Sequence, residues 1–182
     1  QEIKNRRDTI EQINKEAILL KNWKIYLDMV GKNGICKMVL RKTLPIINAN
    51  LSKMLNGVCD FNVEVRINDK NDIEFYMVKN GVYSDLSSGS GFELTCGALA
   101  LRSVLSQIST IPRANFFVAD EILVAVAQEN MDNMHNLYNK IMEDYDFILN
   151  VTHDESIKDW FNMIVTVNKT EDGISSVSLN TK

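Results

Sequence analysis

Two adjacent carboxylates, Asp120 and Glu121, directly follow the apolar segment Phe116–Ala119. An apolar run of this kind, between turn residues and a helical stretch, predicts a central β-strand buried on both faces. The carboxylates would then lie at the carboxyl end of that strand, where open α/β sheets bind ligands. One carboxylate can hold a metal ion through water while its neighbour accepts a proton from an attacking water molecule. A helix N-cap beside a surface acid is the alternative interpretation.

A segment rich in serine and glycine, Leu86–Glu93, precedes a strongly apolar helical stretch. The loop amides, the Ser90 hydroxyl and the positive end of the helix could together hold a phosphate oxygen. A flexible turn with a serine N-cap is the competing interpretation. Further along the chain, the run Tyr145–Val151 predicts a second buried strand, and His153 follows its end.

Apolar residues recur in sevens over residues 1–30, which is typical of a coiled-coil strand whose partner helix lies elsewhere. An amphipathic helix that packs on its own domain is the alternative.

The rest of the chain shows helical and alternating patterns. Pro45 would bend or begin the first of the remaining helices, the turn Asn68–Asp72 would join two strands, and Asn80–Gly81 predicts a further turn. The predicted helices cover residues 36–56 and 128–143, and the predicted strands cover 61–67, 73–78, 163–167 and 174–179.

The 182 residues, of which 45% are hydrophobic and 24% charged, describe one globular domain. Every apolar run is shorter than the roughly 20 residues of a membrane span. The three cysteines are far apart and odd in number, which predicts free thiols in a reducing cytoplasm rather than a disulfide framework or a zinc site. The polar start lacks Met, so we expect that the chain is cut from a longer protein.

The net charge of −4 conceals an asymmetry along the chain. Residues 1–42 carry ten Lys and Arg against five Asp and Glu, whereas the remainder carries ten against nineteen. A basic arm on an acidic body permits nucleic-acid contact through the arm, and it also fits a solvated helix.

Three of these segments follow one another as motifs do in the C-terminal half of an ABC-type ATPase head. Gly89–Glu93 is similar to the signature motif, Phe116–Glu121 to the Walker B motif and Val151–Asp154 to the switch-histidine motif. With the heptad helix and the hairpin, the chain resembles the SMC and SbcC group of DNA-repair and chromosome-organising ATPases over nearly its whole length.

The resemblance implies an α/β fold with two parts. Residues 1–35 would be the end of a protruding coiled-coil helix, and residues 36–182 would be a C-terminal ATPase lobe with a mixed sheet and flanking helices. Heads of this family work in pairs around ATP and Mg²⁺.

The resemblance also implies a role for each matched residue. Asp120 would hold Mg²⁺ through water, Glu121 would polarise the attacking water, and His153 would sense the γ-phosphate. The residue types suit these roles, because phosphoryl transfer depends on positioning and charge neutralisation more than on covalent catalysis. The signature residues would bind ATP held by the opposite head; they are Ser90, Gly91, Phe92 and Glu93.

The implied partners are an N-terminal ATPase half, a second head in a homodimer, DNA and a nuclease subunit, with no membrane partner. The nuclease would dock around residues 10–35, where Trp23, Tyr26 and Leu27 would form part of the contact surface. We expect an SbcC-like DNA-repair ATPase that dimerises on ATP and Mg²⁺ and controls the nuclease at DNA ends. It would be cytoplasmic or nucleoid-associated, or nuclear in a eukaryote.

The sequence departs from the family pattern around two motifs. Phe92 replaces the second signature glycine, Val124 stands where glycine is common, and Ala127 stands where the family usually has Asp. These differences bear on communication between heads and on the rate of hydrolysis.

No Walker A motif occurs in the chain. The segment Gly31–Met38 imitates one, but Cys36 replaces the second glycine and Met38 replaces the Ser or Thr that would contact Mg²⁺. We therefore expect a turn between helices here, and poor or no ATP binding by the isolated chain.

Three other functions use the same residues. Ser90, Asp120 and His153 follow the chain order of an α/β-hydrolase triad, although Ser88 and Phe92 stand where the nucleophile elbow needs glycine. An SMC-like chromosome-organising head fits the same motifs. A half-head with a degenerate ATP site, which only binds DNA or a partner through its basic arm, is the non-enzymatic alternative.

Overall fold

The computed structural model describes residues 2–31, 33–68, 70 and 72–182. Its helices are α1 (Glu2–Val30), α2 (Ile35–Leu55), α3 (Gly91–Ile108) and α4 (Met131–Met142). Its strands are β1 (Asn62–Ile67), β2 (Ile73–Lys79), β3 (Val82–Asp85), β4 (Phe116–Asp120), β5 (Phe147–Val151), β6 (Met163–Lys169) and β7 (Ser175–Thr181). Short 3-10 helices cover Leu86–Ser88, Gln128–Asn130 and Glu155–Trp160.

The strands form three small sheets. β1, β2 and β3 are antiparallel and lie in that order, and β6 and β7 form an antiparallel hairpin. β4 and β5 are parallel, with Phe116 opposite Phe147 and Asp120 opposite Val151. Because parallel strands end at the same edge, the residues that follow β4 and β5 are neighbours.

The core lies between α2, α3, α4, the β1–β2–β3 sheet and β4. Leu51 of α2, Val63 of β1 and Val104 of α3 are fully buried. α4 lies within the predicted helix 128–143, and the residues on its inner face are buried: Met131, Met134, Leu137, Tyr138 and Ile141.

The prediction that β4 is buried on both faces is wrong. Phe117 and Ala119 are 5% and 1% exposed, but Phe116 and Val118 are 42% and 40% exposed. β5, which was also expected to be buried, alternates between exposed and half-buried residues. The core covers one face of this parallel pair, and no described element covers the other. We call it the open face; it comprises Phe116, Val118, Phe147, Leu149 and Val151.

The sequence pattern does not predict β3, a short strand that contains Ser84 and Asp85. It pairs with β2 because Asn80 and Gly81, with φ angles of 51° and 78°, form a tight hairpin loop. The predicted turn Asn68–Asp72 includes residues 69 and 71, which lie outside the described residues.

A turn joins the two helices at the start of the chain, where the Gly34 N–H donates to the Gly31 carbonyl at 3.0 Å. The segment Gly31–Met38 was predicted as a turn, but its residues 35–38 belong to α2. Its residue Lys32 lies outside the described residues. Pro45 is inside α2, so that helix continues through the proline instead of beginning there.

α1 has no buried residue, and the alternative of an amphipathic helix packed on its own domain is therefore wrong. Its heptad positions Ile10, Ile13 and Leu20 are 59%, 57% and 58% exposed. An apolar seam of this kind is what a coiled-coil strand presents to its partner helix. None of the helices in the described ranges is long and apolar enough to cross a membrane.

Candidate functional site

The ends of β4 and β5 bring Glu121 and His153 into contact. Nδ1 of His153 lies 3.1 Å from Oε1 and 2.9 Å from Oε2 of Glu121. The Glu121 N–H donates to the Val151 carbonyl at 2.9 Å, which continues the strand pairing by one residue. We call Glu121 and His153 the acid–imidazole pair. The sequence predicts both residues, and the parallel pairing explains why they meet.

Glu121 has a φ angle of 51°, in the left-handed region that a residue with a Cβ rarely adopts. Such a conformation costs about 1–3 kcal/mol and persists only where the surrounding structure enforces it. Backbone strain of this kind concentrates at functional sites. No local sequence signal predicts it here.

The hydrogen bond from His153 to Glu121, with the negative charge of that carboxylate, raises the pKa of His153. The imidazole side chain is 77% exposed, so a ligand can reach it. Asp154 is directed elsewhere: its carboxylate accepts the Ser156 N–H at 2.8 Å, and this hydrogen bond lowers the pKa of Asp154. The pair is thus an imidazole, with its pKa raised, that contacts a carboxylate at an accessible strand edge.

Asp120 is the exposed last residue of β4. Within the described part of the chain, no group of three or more His, Cys, Asp and Glu side chains could hold a metal ion. Mg²⁺ usually binds one or two carboxylates and completes its shell with water and phosphate oxygens. The oxygen donors of Asp120 and Glu121 therefore fit Mg²⁺ shared with a phosphate ligand, but not a metal held by protein groups alone.

Ser90 is the N-cap of α3, and it forms a capping box with Glu93. The Ser90 oxygen accepts the Glu93 N–H at 3.4 Å, and the Glu93 carboxylate accepts the Ser90 N–H at 2.7 Å. The N-cap expected as the alternative for this segment is therefore present. It does not use the hydroxyl proton of Ser90, which can still be donated to a ligand oxygen.

Ser90 lines a cavity of about 530 Å³ together with Phe92 and Glu93 of α3, Lys79 and Asn130. We call it the α3 cavity. Neither Glu121 nor His153 is among the residues that line it in the described chain. The structure thus brings together Glu121 and His153, which were predicted at strand ends, whereas Ser90 of the predicted serine loop lines the α3 cavity.

Gly91 packs against the turn that follows Glu121. A Cβ atom added at Gly91 would lie 2.1 Å from the carbonyl oxygen of Ala125. The other side of this turn is held by the core, because Leu123 and Val126 are 3% and 7% exposed. The sequence does not reveal that this glycine allows a backbone to approach.

The sequence comparisons give one distant relative. No family model matches the chain. An uncharacterized protein of Acanthamoeba polyphaga mimivirus is 25% identical over 173 residues, which cover 86% of this chain. The chain spans 13% of the length of that protein.

The fold is similar to that of SMC ATPase head domains, and the predicted mixed α/β fold with a long N-terminal helix is confirmed. A structure from a study of ATP-driven dimerisation and DNA-stimulated activation of SMC ATPases matches with a TM-score of 0.65 and 17% identity; the match covers 80% of this chain and 89% of that chain.

Two archaeal SMC head domains match over almost all of this chain. The head of Pyrococcus furiosus, solved with an extended coiled coil and the C-terminal domain of ScpA, has a TM-score of 0.62 and 19% identity, with coverage of 99% and 44%. The head of Pyrococcus yayanosii, solved with a coiled coil and joint, has a TM-score of 0.62 and 22% identity, with coverage of 97% and 33%. This chain therefore corresponds to less than half of either solved chain.

Proposed function

We propose that this chain is the C-terminal half of an ATPase head that dimerises on ATP and Mg²⁺. The observation that carries the proposal is the acid–imidazole pair, in which His153 contacts both carboxylate oxygens of Glu121 at the carboxyl edge of a parallel strand pair. In open α/β sheets this edge is where ligands bind. The SMC-type fold supports the same assignment.

Each residue at the strand ends has one task in this proposal. Asp120 would hold Mg²⁺ through water, and Mg²⁺ bound there would neutralise charge on the phosphate oxygens. Glu121 orients the attacking water and accepts its proton, and its strained backbone and its contact with His153 fix the carboxylate in place. His153 donates a hydrogen bond to the γ-phosphate, and its raised pKa favours the protonated form that can do so.

The start of α3 serves the nucleotide of a second copy of the head. Ser90 donates its hydroxyl proton to the γ-phosphate, and the amides of Gly91 and Phe92 add the positive end of α3. Glu93 contributes by holding Ser90 in the capping box. This division of labour needs Ser90 to lie apart from Glu121 of its own chain; it is supported by the α3 cavity, which Ser90 lines and Glu121 does not.

An N-terminal half completes the head by packing on the open face. This half, in the same protein or in a separate chain, carries the Walker A motif, and without it the isolated chain binds ATP weakly or not at all. Five large apolar residues on one face of two strands need such a cover. Residues 1–35 and 36–182 are then the end of the coiled coil and the C-terminal lobe, respectively.

α1 supplies the coiled-coil base and a docking surface for a nuclease subunit. Trp23, Tyr26 and Leu27 are 55%, 54% and 61% exposed, and the two aromatic rings pack edge to face at 5.8 Å. Exposed aromatic clusters of this type are typical of interaction sites. The protein would act as an SbcC-like repair ATPase on DNA ends, in the cytoplasm, on the nucleoid or in the nucleus.

The ATP turnover of two variants of the full-length protein tests the role proposed for Glu121. Glu121→Gln should lower ATP turnover about 100-fold or more while ATP binding is retained, because it removes the proton acceptor. Glu171→Gln, an exposed acid in the β6–β7 turn, is the matched control and should leave turnover unchanged. Unchanged turnover in Glu121→Gln would contradict the proposal.

The nuclease surface is tested by pull-down from the same full-length protein. Replacement of Trp23, Tyr26 and Leu27 by Ala should abolish nuclease binding, whereas Ile3→Ala, an exposed apolar site outside residues 10–35, should not. Binding that survives the triple replacement contradicts this surface. If the nuclease never binds but a ScpA-like protein does, the SMC-like alternative is preferred, since structures with this fold include a head bound to ScpA.

The non-enzymatic alternative rests on the turn after Glu121. Val124 is 65% exposed, and Ala127 has no carboxylate to offer a partner head. If the intact protein binds DNA but shows no Mg²⁺- or DNA-dependent ATP turnover, the chain is a binding half-head with a degenerate site.

A further inference from the structure

One tyrosine of α4 contacts the chain on both sides of His153. The hydroxyl of Tyr138 donates to Oδ1 of Asn150 at 2.9 Å, and Asn150 lies on β5, before His153 in the chain. The ring of the same tyrosine packs edge to face against Trp160 at a centroid distance of 5.7 Å, and Trp160 ends the 3-10 helix that follows His153. Tyr138 is 3% exposed, so its side chain is held within the core.

The segment between these two contacts is fixed by hydrogen bonds and by burial. The Thr152 hydroxyl oxygen accepts the Asp154 N–H at 3.0 Å, and the Asp154 carboxylate accepts the Ser156 N–H at 2.8 Å. Ile157, in the same 3-10 helix, is 2% exposed. A shift at either contact with α4 would therefore reach His153, because no loose loop lies between them to absorb it.

The hydrogen bond between Tyr138 and Asn150 occupies a place where two apolar side chains would be more stable. Among the described residues, the buried Nδ2 of Asn150 has no hydrogen-bond partner. A buried polar atom without a partner lowers stability, and replacing both members of such a pair by apolar groups would avoid this loss. A role at a functional site is one reason for a protein to keep such a group.

The helix that carries Tyr138 is itself anchored near both ends. α4 begins at Met131, after the turn that follows Glu121, and Met131 is 7% exposed. Near its other end, Nζ of Lys140 donates to the carbonyl of Asn56 beyond the end of α2 at 2.5 Å. α4 therefore offers Tyr138 a fixed base between the two members of the acid–imidazole pair.

We propose that Tyr138 is a positioning residue for the acid–imidazole pair, which fixes both flanks of His153 so that the imidazole stays in contact with Glu121 and directed towards the γ-phosphate. Because Tyr138 is buried, it acts through Asn150 and Trp160 and not on the nucleotide itself. This inference rests on the ATPase function proposed above.

The test compares two variants of the full-length protein that each lose one tyrosine hydroxyl. Tyr138→Phe removes the donor to Asn150, whereas Tyr145→Phe, the matched control, removes a hydroxyl that donates to Oγ of Ser106 at 3.0 Å. We expect Tyr138→Phe to lower kcat for ATP about 10-fold and to change KM less than about twofold, because a small misplacement of a catalytic group slows the chemical step more than it weakens binding. Tyr145→Phe should change neither constant.

A wild-type kcat in Tyr138→Phe would overturn the proposal, and so would an equal fall of kcat in both variants. Asn150→Ala removes the other member of the same hydrogen bond and should reproduce the fall in kcat. This variant keeps the proposal testable if Tyr138→Phe does not fold, since a wild-type kcat in Asn150→Ala would also overturn it.

Hydrogen exchange without nucleotide, followed by mass spectrometry, separates this proposal from the proposed function. Peptides that cover residues 147–160 should exchange faster in Tyr138→Phe than in the wild type, but not in Tyr145→Phe. If the wild type hydrolyses no ATP, the proposed function fails and unchanged exchange in Tyr138→Phe would overturn the positioning role. If Glu121→Gln abolishes turnover while Tyr138→Phe changes neither kcat nor exchange, only the positioning role fails.

Discussion

The acid–imidazole pair and the capping box are both a carboxylate bonded to a polar neighbour, but they arise in different ways. Glu121 and His153 are separated by 32 positions and meet only because β4 and β5 pair in parallel. Ser90 and Glu93 are separated by 3 positions and meet in any helix that begins at Gly91. The first arrangement therefore depends on the fold, whereas the second is local.

This difference indicates which region a change in packing will disturb. The acid–imidazole pair depends on the strained backbone of Glu121 and on the turn that follows it, which packs against both α3 and the core. We therefore expect substitutions elsewhere in the molecule to disturb the pair. The capping box responds mainly to substitution of its own two members.

The largest effect is expected at Gly91, where the two regions touch. Gly91→Ala would place a Cβ atom 2.1 Å from the Ala125 carbonyl oxygen, so the turn must move. We expect a loss of about 1–3 kcal/mol in the free energy of unfolding, measured by urea denaturation. The displaced turn should also move Glu121, with a fall in ATP turnover.

Gly97→Ala in the same helix is the matched control for this substitution. The atoms nearest to a Cβ there would be side-chain atoms of Leu86 and Val63, the closest at 3.2 Å. The side chains of Leu86 and Val63 can adjust, and the higher helix propensity of alanine offsets part of the loss of stability. A smaller loss of stability at Gly91 than at Gly97 would show that the turn is not held by α3.

A moderate loss of stability is expected when the capping box is disrupted. Ser90→Ala removes the N-cap of α3 and should lower the free energy of unfolding by about 1 kcal/mol in a denaturant titration. The imidazole titration of His153 should not change. Ser176→Ala, on the exposed strand β7, is the control and should be neutral. A shifted His153 titration in Ser90→Ala would mean that the two regions are not independent.

The smallest effect concerns the pH dependence of the acid–imidazole pair. Because Glu121 raises the pKa of His153 in the folded state, the stabilisation is complete below the ordinary histidine pKa of about 6.5 and is lost as pH rises through the raised value. Glu121→Gln should return the pKa of His153, followed by imidazole proton shifts in NMR, towards its ordinary value. The variant should lose more stability at mildly acidic than at alkaline pH, and equal losses would contradict the contact.

The sequence allows much of this architecture to be predicted, for physical reasons that differ between elements. The buried residues of α4 follow from helical periodicity, and the places of Asp120, Glu121 and His153 at or just after strand ends follow from the apolar runs that precede them. The local capping box, Ser90 with Glu93, is visible in four consecutive residues.

Other features depend on contacts that no local pattern encodes. The left-handed backbone of Glu121 and the approach of Ala125 to Gly91 are set by tertiary packing. The exposure of the open face is also not encoded locally. An apolar run indicates that Phe116 and Val118 will be covered, but it does not indicate whether this chain or another one covers them.

The central claim is that Ser90 serves the nucleotide of the opposite head while Glu121 serves its own. It is tested most directly by the ATP turnover of the full-length Glu121→Gln and Ser90→Arg variants, alone and mixed in equal amounts. Each variant alone should be nearly inactive. The mixture should recover about a quarter of wild-type turnover, because half of the randomly formed dimers are mixed and each of these has one intact site of two. A mixture as inactive as its components would place both residues in the same site and contradict the account.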